Sequence, residues 1–152
     1  PGHPPGTYLT ERDMENILVG KTINAILIAK DKEAIRFDTD GGEIIAKCDS
    51  DCCSYTWVEH IELPALGFPS KVVSVESLGL PGSEDNHPEH DCLQVYGLKI
   101  TTDRGEIVID YRNSSNGYYG GSLTWPGQRH YGSVYGQNKH DCTEFVAVTS
   151  DI

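Results

Sequence analysis

The sequence has no long apolar run and no concentration of positive charge, and both absences narrow the functions to consider. Its wholly apolar runs, such as residues 25–29, are far too short to cross a bilayer, so we expect no membrane span. The 12 Lys and Arg, set against 23 Asp and Glu, are scattered singly. Binding to a phosphate backbone requires a basic stripe, and nucleic acid is therefore not expected as a partner.

Recognisable catalytic motifs are also lacking. There is no phosphate-binding loop, dinucleotide fingerprint, His-Glu-x-x-His motif or nucleophile elbow. A Cys-His hydrolase would need a helix N-terminus to stabilise the thiolate and an oxyanion hole, and the pattern indicates neither. We therefore expect a protein that is not an enzyme, with no catalytic residue and no organic cofactor. Paired carboxylates have no local motif, and the sequence leaves them open.

What the sequence does contain is the pattern of short strands and turns. Its 16 Gly and eight Pro indicate many turns. A Pro-rich extended arm over residues 1–9 precedes a short helix predicted over about 11–18. Runs rich in β-branched residues predict a three-strand meander at 22–29, 34–38 and 43–47, and further strands at 71–77, 93–102, 106–111, 121–125 and 144–149.

The two sets of strands are related in sequence. A shift of 63 residues places segment 37–45 on 100–108, with Thr, Asp, Gly, Glu and Ile at identical positions. Tight hairpins in general favour such residues, so turn preference is the alternative to an internal duplication. We predict a mainly β fold in which two related antiparallel β-meanders form a sandwich or a partly open barrel, with one short N-terminal helix. The expected β-domain covers 10–125, with repeats at about 20–62 and 70–125, and a C-terminal extension with a final strand covers 126–152.

Two His-Asp-Cys triplets suggest a metal site. Strand alternation puts His90 and Cys92 on one side of the backbone, and likewise His140 and Cys142. If those strands are neighbours, the four side chains and His87 could converge on zinc, which accepts Cys sulfur and His nitrogen in any mixture. The alternative is that the two cysteines are paired or simply buried.

A second Cys-rich segment offers a poorer metal site. Cys48, Cys52 and Cys53 are followed by Glu59 and His60, but adjacent cysteines tend to point to opposite sides of an extended backbone. Buried thiols or disulfides are the alternatives. With five cysteines, at least one thiol is free or intermolecular. The candidates for disulfides are Cys48, Cys52, Cys53, Cys92 and Cys142.

The C-terminal third is rich in aromatic residues and Gly. Asn116-Gly117 predicts a hairpin turn, with Tyr118 and Tyr119 beside it. Such a surface suits contact with a protein or a glycan, and the alternative is that one of the two tyrosines caps the core. The candidate interaction residues are Asn116, Tyr118, Tyr119, Trp125, Tyr131 and Tyr135.

Several motifs together resemble a small β-rich domain of unknown function that is common in bacteriophage and prophage genomes. They lie at residues 18–23, 40–43, 51–54 with 59–61, and 115–119. The resemblance covers about residues 17–125 and implies a mostly β fold and a link to phage. It implies no reaction and no site residues. The arm at 1–8 and the segment 126–152 are additional to it.

These observations predict a non-enzymatic, phage-associated structural or assembly protein, either a virion component or a filament-forming subunit. Its partners would be itself or other phage structural proteins, with the arm and the extension bridging adjacent copies. The location expected is a virion or an extracellular assembly. One alternative is an accessory protein in the host cytoplasm that binds and inhibits a host factor. Another is a small metal-binding protein or metal-dependent enzyme.

Overall fold

Strands make up nearly all of the regular structure. The computed structural model describes residues 17–50, 54–78, 84–85, 92–115, 121–126 and 144–152, with only the backbone of Glu84, Asp85 and Cys92. Within these ranges the mainly β fold is confirmed. The strands are β1 (Thr22–Ala29), β2 (Ala34–Thr39), β3 (Gly42–Ser50), β4 (Tyr55–Glu62), β5 (Ser70–Leu78), β6 (Glu84–Asp85), β7 (Cys92–Thr102), β8 (Gly105–Ser115), β9 (Gly121–Thr124) and β10 (Phe145–Ala147).

The two meanders continue into one antiparallel sheet. Its strand order is β4-β8-β7-β5-β1-β2-β3-β9, with β10 beside β1 and β6 beside β7. The junction is short: Thr22 pairs with Lys71, and Ile23 pairs with Ser70. The described strands do not close into a barrel. This junction divides the sheet into two halves, which have the strand orders β1-β2-β3-β9 and β5-β7-β8-β4 when each is followed away from the junction.

The halves also share an irregularity in strand pairing. A shift of 63 residues places the β2–β3 hairpin on β7–β8, and a shift of 49 places β1 on β5. The register of β1 against β2 slips just after Ile23, opposite Thr39, and that of β5 against β7 slips just after Val72, opposite Thr102. Bulges of this kind set the local twist of a strand. A preference for turn residues alone does not explain a shared bulge.

The two hairpin turns are built in the same way. The Thr39 hydroxyl donates to the Gly42 carbonyl at 2.7 Å and accepts the Gly41 amide at 3.1 Å. Thr102 repeats both contacts in the second turn, at 2.6 and 3.1 Å. Such side-chain bonds stabilise a tight turn because they satisfy backbone groups that the strand ladder leaves unpaired.

An aspartate in each turn reaches the neighbouring strand. The Asp40 carboxylate accepts the Thr22 amide at 3.0 Å, and the Asp103 carboxylate accepts the Lys71 amide at 2.7 Å. These bonds fix the starts of β1 and β5, which pair with each other across the junction. The Asp that recurs in the sequence pattern therefore positions the centre of the sheet.

Each meander is followed along the chain by a strand that pairs with the other meander. β4 follows the first meander along the chain but pairs with β8, whereas β9 follows the second meander but pairs with β3. The exchange is reinforced where the Val58 amide donates to the Lys32 carbonyl at 2.9 Å. β4 is absent from the strands predicted above. Because each half of the sheet includes the strand that follows the meander of the other half, the two halves share one core.

That core contains apolar side chains from both halves. Phe37 on β2 stacks on Trp125, which follows β9, with ring centroids 5.8 Å apart. At about 25 cal/mol per Å² of buried apolar surface, such a cluster is the main source of stability in a chain of this size. Its largest fully buried members are Phe37, Leu18, Ile23, Ile26, Ile35, Ile61, Ile100, Ile107, Ile109, Val58 and Val72.

Only the end of the predicted N-terminal helix lies within the described residues. Ile17 and Leu18 are helical, Leu18 is fully buried, and the chain turns at Gly20, whose φ is +86°. Gly is suited to this left-handed conformation after a helix. Among the described residues, no helix has the length and apolarity needed to span a membrane.

Candidate functional site

The most distinctive feature of the surface is a gap in the sheet beside β1. On the edge away from β2, this strand pairs with β5 at Thr22 and Ile23 and with β10 from Leu27 to Ala29. Between these two stretches no strand of the described chain lies beside Asn24 and Ala25, whereas the Ile26 carbonyl already accepts the Val148 amide at 2.8 Å. β5 begins at Ser70, so the chain before it leaves the sheet as a loop at this point.

The gap opens into a cavity of about 640 Å³. Its walls are residues 24–26 of β1, the loop at residues 63–68, and residues 147–151. Ile26 and Val148 are buried at its base, and Leu63 and Phe68 pack against the same core. Cavities of 300–1,000 Å³ with mainly apolar walls are typical of small-molecule sites.

Polar groups lie at the rim of this cavity. Asn24, Thr149, Ser150 and Asp151 line it beside the apolar residues. The Asp151 carboxylate accepts the Leu63 amide at 2.8 Å, which ties the two walls together. Among the described residues that line the cavity, Asp151 is the only ionisable one. Mainly apolar walls with a few polar groups at the rim are the arrangement of a binding site.

The loop wall is held by the second hairpin turn. The Leu66 amide donates to the Arg104 carbonyl at 2.9 Å. Gly105 has a φ of +128°, and a Cβ placed on it would lie 2.7 Å from the Ala65 backbone nitrogen. This close approach requires Gly, both for the backbone conformation and for the space. The shape of the cavity therefore depends on the turn between β7 and β8.

The other wall belongs to residues 144–152, here named the C-terminal segment. Its backbone is bonded at both ends: Glu144 O accepts Lys30 N at 3.1 Å, and Ile152 and Ile61 exchange two bonds of 3.0 and 3.2 Å. A salt bridge of 2.8 Å joins the exposed side chains of Lys30 and Glu144. Val148 is the buried side chain of the segment, 7% exposed. The segment is an added strand with one apolar anchor.

The edge that receives this segment differs from its counterpart in the other half. Residues 27–29 of β1 are Leu-Ile-Ala, whereas the 49-residue shift places them on Glu-Ser-Leu at 76–78 of β5. Glu76 and Ser77 are exposed, and none of the described strands pairs with the outer edge of this stretch. Charged residues on an edge strand discourage pairing with another strand. Of these two corresponding edges, the C-terminal segment therefore pairs with the apolar one, on β1.

Most of the residues predicted to bind metal lie outside the described part of the chain. The structure does not describe His87, His90, Cys52, Cys53, His140 and Cys142, and it gives only the backbone of Cys92. Among the described residues, no group of three or more His, Cys, Asp and Glu is placed to hold a metal ion. The zinc site built on the two triplets stays a prediction.

Cys48 and His60 are in different surroundings. Cys48 is fully buried in the core, with its sulfur 3.9 Å from the Lys32 carbonyl oxygen. His60 is exposed, and its Nδ1 lies 3.2 Å from the Ile152 carbonyl oxygen. Glu59 accepts the indole N–H of Trp57 at 2.6 Å. These residues therefore have separate structural roles, and the described residues contain no disulfide.

Trp125, one of the residues predicted to form an aromatic contact surface, is buried instead. Its side chain is 2% exposed and stacks on Phe37, so its ring belongs to the core. The physical reason is that β9 pairs with β3, which directs the chain after it over the first half. The other predicted contact residues, Asn116, Tyr118, Tyr119, Tyr131 and Tyr135, lie outside the described residues.

The sequence contains no pattern that predicts the cavity. Its walls come from three segments that are far apart in the chain, and none of them has a motif. The nearest signal was the predicted final strand at 144–149, which gave no indication of where that strand would pair.

Comparison with known proteins gives a family but no function. The model of a domain of unknown function, DUF7448, matches residues 16–125. No curated protein and no solved structure matches the chain. The prediction of a domain of unknown function over about 17–125 is thereby confirmed. The family match stops just after β9, so the C-terminal segment lies beyond it. The chain belongs to the DUF7448 family.

Proposed function

We propose that this protein is a phage-associated structural or assembly subunit, a virion component or filament-forming protein, that works through contacts between copies of the chain. The C-terminal segment is the contact element: in the assembly, the segment of one copy lies on β1 and β4 of the next. The observation behind this proposal is that a segment beyond the family domain completes the sheet of that domain at an apolar edge.

Strand addition supplies the chemistry of this contact. Backbone bonds between β10 and β1 form whatever the side chains are, and the buried Val148 adds a specific anchor. Within a single chain this contact joins three paired residues, the Val148 anchor, and hydrogen bonds to Lys30, Ile61 and Leu63. Repeated in each copy of an assembly, the same contact gives a head-to-tail chain, because donor and acceptor are different surfaces.

The length of the connecting chain also supports exchange. Three strands, β3, β2 and β1, lie between β9 and β10 in the sheet, so the two are four spacings apart, a distance of roughly 19 Å at about 4.8 Å per spacing. Residues 127–143 separate Pro126 from Glu144, and 17 residues can span up to about 55 Å. The chain is therefore long enough to place its C-terminal segment on its own β1 or on that of a neighbour.

The phage association in this proposal rests on the resemblance of sequence motifs described above. A virion or an extracellular assembly is the location that accompanies it. The excess of negative charge, −11, favours solubility of the free subunit and makes assembly sensitive to salt.

The Lys30–Glu144 salt bridge gives a direct test. A carbodiimide couples an amine to a carboxylate only when the two are in contact, and both side chains are about two-thirds exposed. Equal amounts of ¹⁵N-labelled and unlabelled chains would be unfolded together, refolded and treated with the reagent. Crosslinked Lys30–Glu144 peptides containing one labelled and one unlabelled half are expected. The Lys99–Glu76 salt bridge, also 2.8 Å, is the internal control and should give unmixed pairs only.

A matched pair of variants isolates the anchor. Val148→Asp puts a carboxylate at a buried position and should abolish the mixed crosslink and the oligomers in native mass spectrometry. Val146→Asp changes an exposed residue, 47% accessible, of the same strand and should preserve both. A monomer that gives only unmixed Lys30–Glu144 pairs would overturn the proposal. It would favour the alternative of an accessory protein that binds a host factor.

A further inference from the structure

We infer that the cavity beside β1 is a binding site for a small apolar molecule that carries a protonated amine. No part of this inference depends on strand exchange, because residues 147–151 form the same wall whichever copy supplies them. The site is defined by the cavity of about 640 Å³ between β1, the loop at 63–68 and the C-terminal segment.

The body of the ligand is determined by the base of the cavity. Ile26, Phe68 and Val148 offer carbon surface with no ionisable group among them. Water in such a place has few hydrogen-bond partners, so an aliphatic or aromatic group that displaces it gains free energy. Gly67 adds to the space, because a Cβ built on it would meet no atom within 4 Å.

The charge of the ligand is determined by the rim. Asp151 is the only ionisable residue among the described residues of the lining. The carboxylate uses one oxygen to accept the Leu63 amide at 2.8 Å. A carboxylate has capacity for further donors, and an ammonium group offers three. The hydroxyls of Thr149 and Ser150 can accept the remaining N–H groups, whereas an anionic end group would be repelled by the Asp151 carboxylate.

Three probes of the same shape test this assignment on the full-length protein. 4-Phenylbutylamine, 4-phenylbutanol and 4-phenylbutyrate differ only in whether the polar end is cationic, neutral or anionic. We expect the amine to bind with a dissociation constant of about millimolar, roughly threefold tighter than the alcohol, since a part-exposed ion pair has a modest effect. The carboxylate should be the weakest. Binding is measured by ligand-observed NMR, and the site by chemical-shift changes of residues 24–26 and 147–151.

Two variants separate charge from space. Asp151→Asn keeps an oxygen for the Leu63 amide but removes the charge, so the preference for the amine over the alcohol should disappear. Ala147→Trp adds a ring to the lining and should block all three probes, whereas Val146→Trp on the adjacent exposed position should not. The Lys30–Glu144 crosslink reports whether the segment is still seated in each variant. The inference is overturned if the carboxylate binds as tightly as the amine, or if none of the probes binds the wild-type chain.

Discussion

The two equivalent hairpin turns allow a prediction in which one half of the molecule is the control for the other. Gly42 and Gly105 occupy corresponding positions, with φ values of +111° and +128°. Replacing either by Ala places a side chain in a backbone conformation that costs about 1–3 kcal/mol. A Cβ on Gly42 would meet no atom within 4 Å, so the backbone strain is the whole expected cost of Gly42→Ala.

Gly105→Ala carries a second cost. Its Cβ would lie 2.7 Å from the Ala65 backbone nitrogen, so the loop at 63–68 must move away from the turn. Overpacking of this kind costs about 1–3 kcal/mol more. We therefore expect the free energy of unfolding to fall by about 1–3 kcal/mol in Gly42→Ala and by about 2–6 kcal/mol in Gly105→Ala.

Equilibrium unfolding in urea, followed by tryptophan fluorescence, measures both values. The slope of the free energy against urea should match that of the wild type, so that the difference lies in stability alone. In Gly105→Ala, the displaced loop at 63–68 is also a wall of the cavity, so this variant should bind 4-phenylbutylamine more weakly than the wild type. Gly42→Ala moves no wall of the cavity and should bind the amine as the wild type does. Equal losses of stability within about 0.5 kcal/mol would show that the loop does not rest on this turn.

Two further predictions concern the shared core. Gly121→Ala would put a Cβ 1.9 Å from the Thr56 hydroxyl oxygen, so we expect a loss of about 3 kcal/mol or more in urea unfolding; wild-type stability would contradict the packing of β9 against β4. Burial raises the pKa of Tyr111 above its ordinary value of 10.0, which means that the folded state favours the neutral phenol. Stability is then complete below about pH 10 and falls as the pH rises further, because the unfolded chain loses the proton first. In urea unfolding at a series of alkaline pH values, the free energy of unfolding of Tyr111→Phe should fall less steeply with pH than that of the wild type. Equal slopes in the two proteins would contradict burial of Tyr111 as the cause.

The strands and turns of each meander could be predicted because their signals are local. Alternation within β1 and the Thr-Asp-x-Gly turns occupy only a few neighbouring residues, and hairpin partners follow one another in the chain. The repeat at 100–108 indicated the second hairpin for the same reason. Where structure depends on short separations in sequence, the pattern contains enough information to assign it.

β4 shows what the pattern could not supply. Residues 55–62 follow three cysteines and contain Glu59 and His60, a composition that suggests metal binding rather than a strand. The alternation of Thr56, Trp57 and Val58 was a usable signal. Its partner β8 lies about fifty residues further along the chain. What places β4 beside β8 is the burial of Val58 and Ile61 in the shared core. Such long-range placement leaves no local trace in sequence.

The cavity was beyond prediction for a related reason. It arises where β5 leaves β1 after two paired residues and the C-terminal segment joins β1 three residues later, at Ile26. No residue type is needed to produce that gap, which results from the register of three separate segments. Chemistry-bearing residues attract attention in a sequence, whereas a space between segments does not. The cysteine and histidine motifs of the sequence therefore gave no indication of this site.

The contrast between the two sheet edges leads to a last prediction. If apolar side chains are what make β1 an acceptor, then Glu76→Leu with Ser77→Ile should give β5 an edge like that of residues 27–28. The variant should accept a second C-terminal segment and form larger oligomers at the same concentration in native mass spectrometry. Its cost is small, because the exposed Lys99–Glu76 pair contributes at most about 1 kcal/mol.

The control places the same new side chains where no edge is open. Thr101→Ile with Lys99→Leu changes two residues of β7, which at both positions pairs with β5 on one side and with β8 on the other. It adds comparable apolar surface and should leave the oligomer distribution unchanged. If both variants associate equally, general stickiness is responsible and strand addition is not. If neither differs from the wild type, the side chains of an edge do not select it, and the position of the C-terminal segment must come from the Val148 anchor and the bonds at Lys30, Ile61 and Leu63.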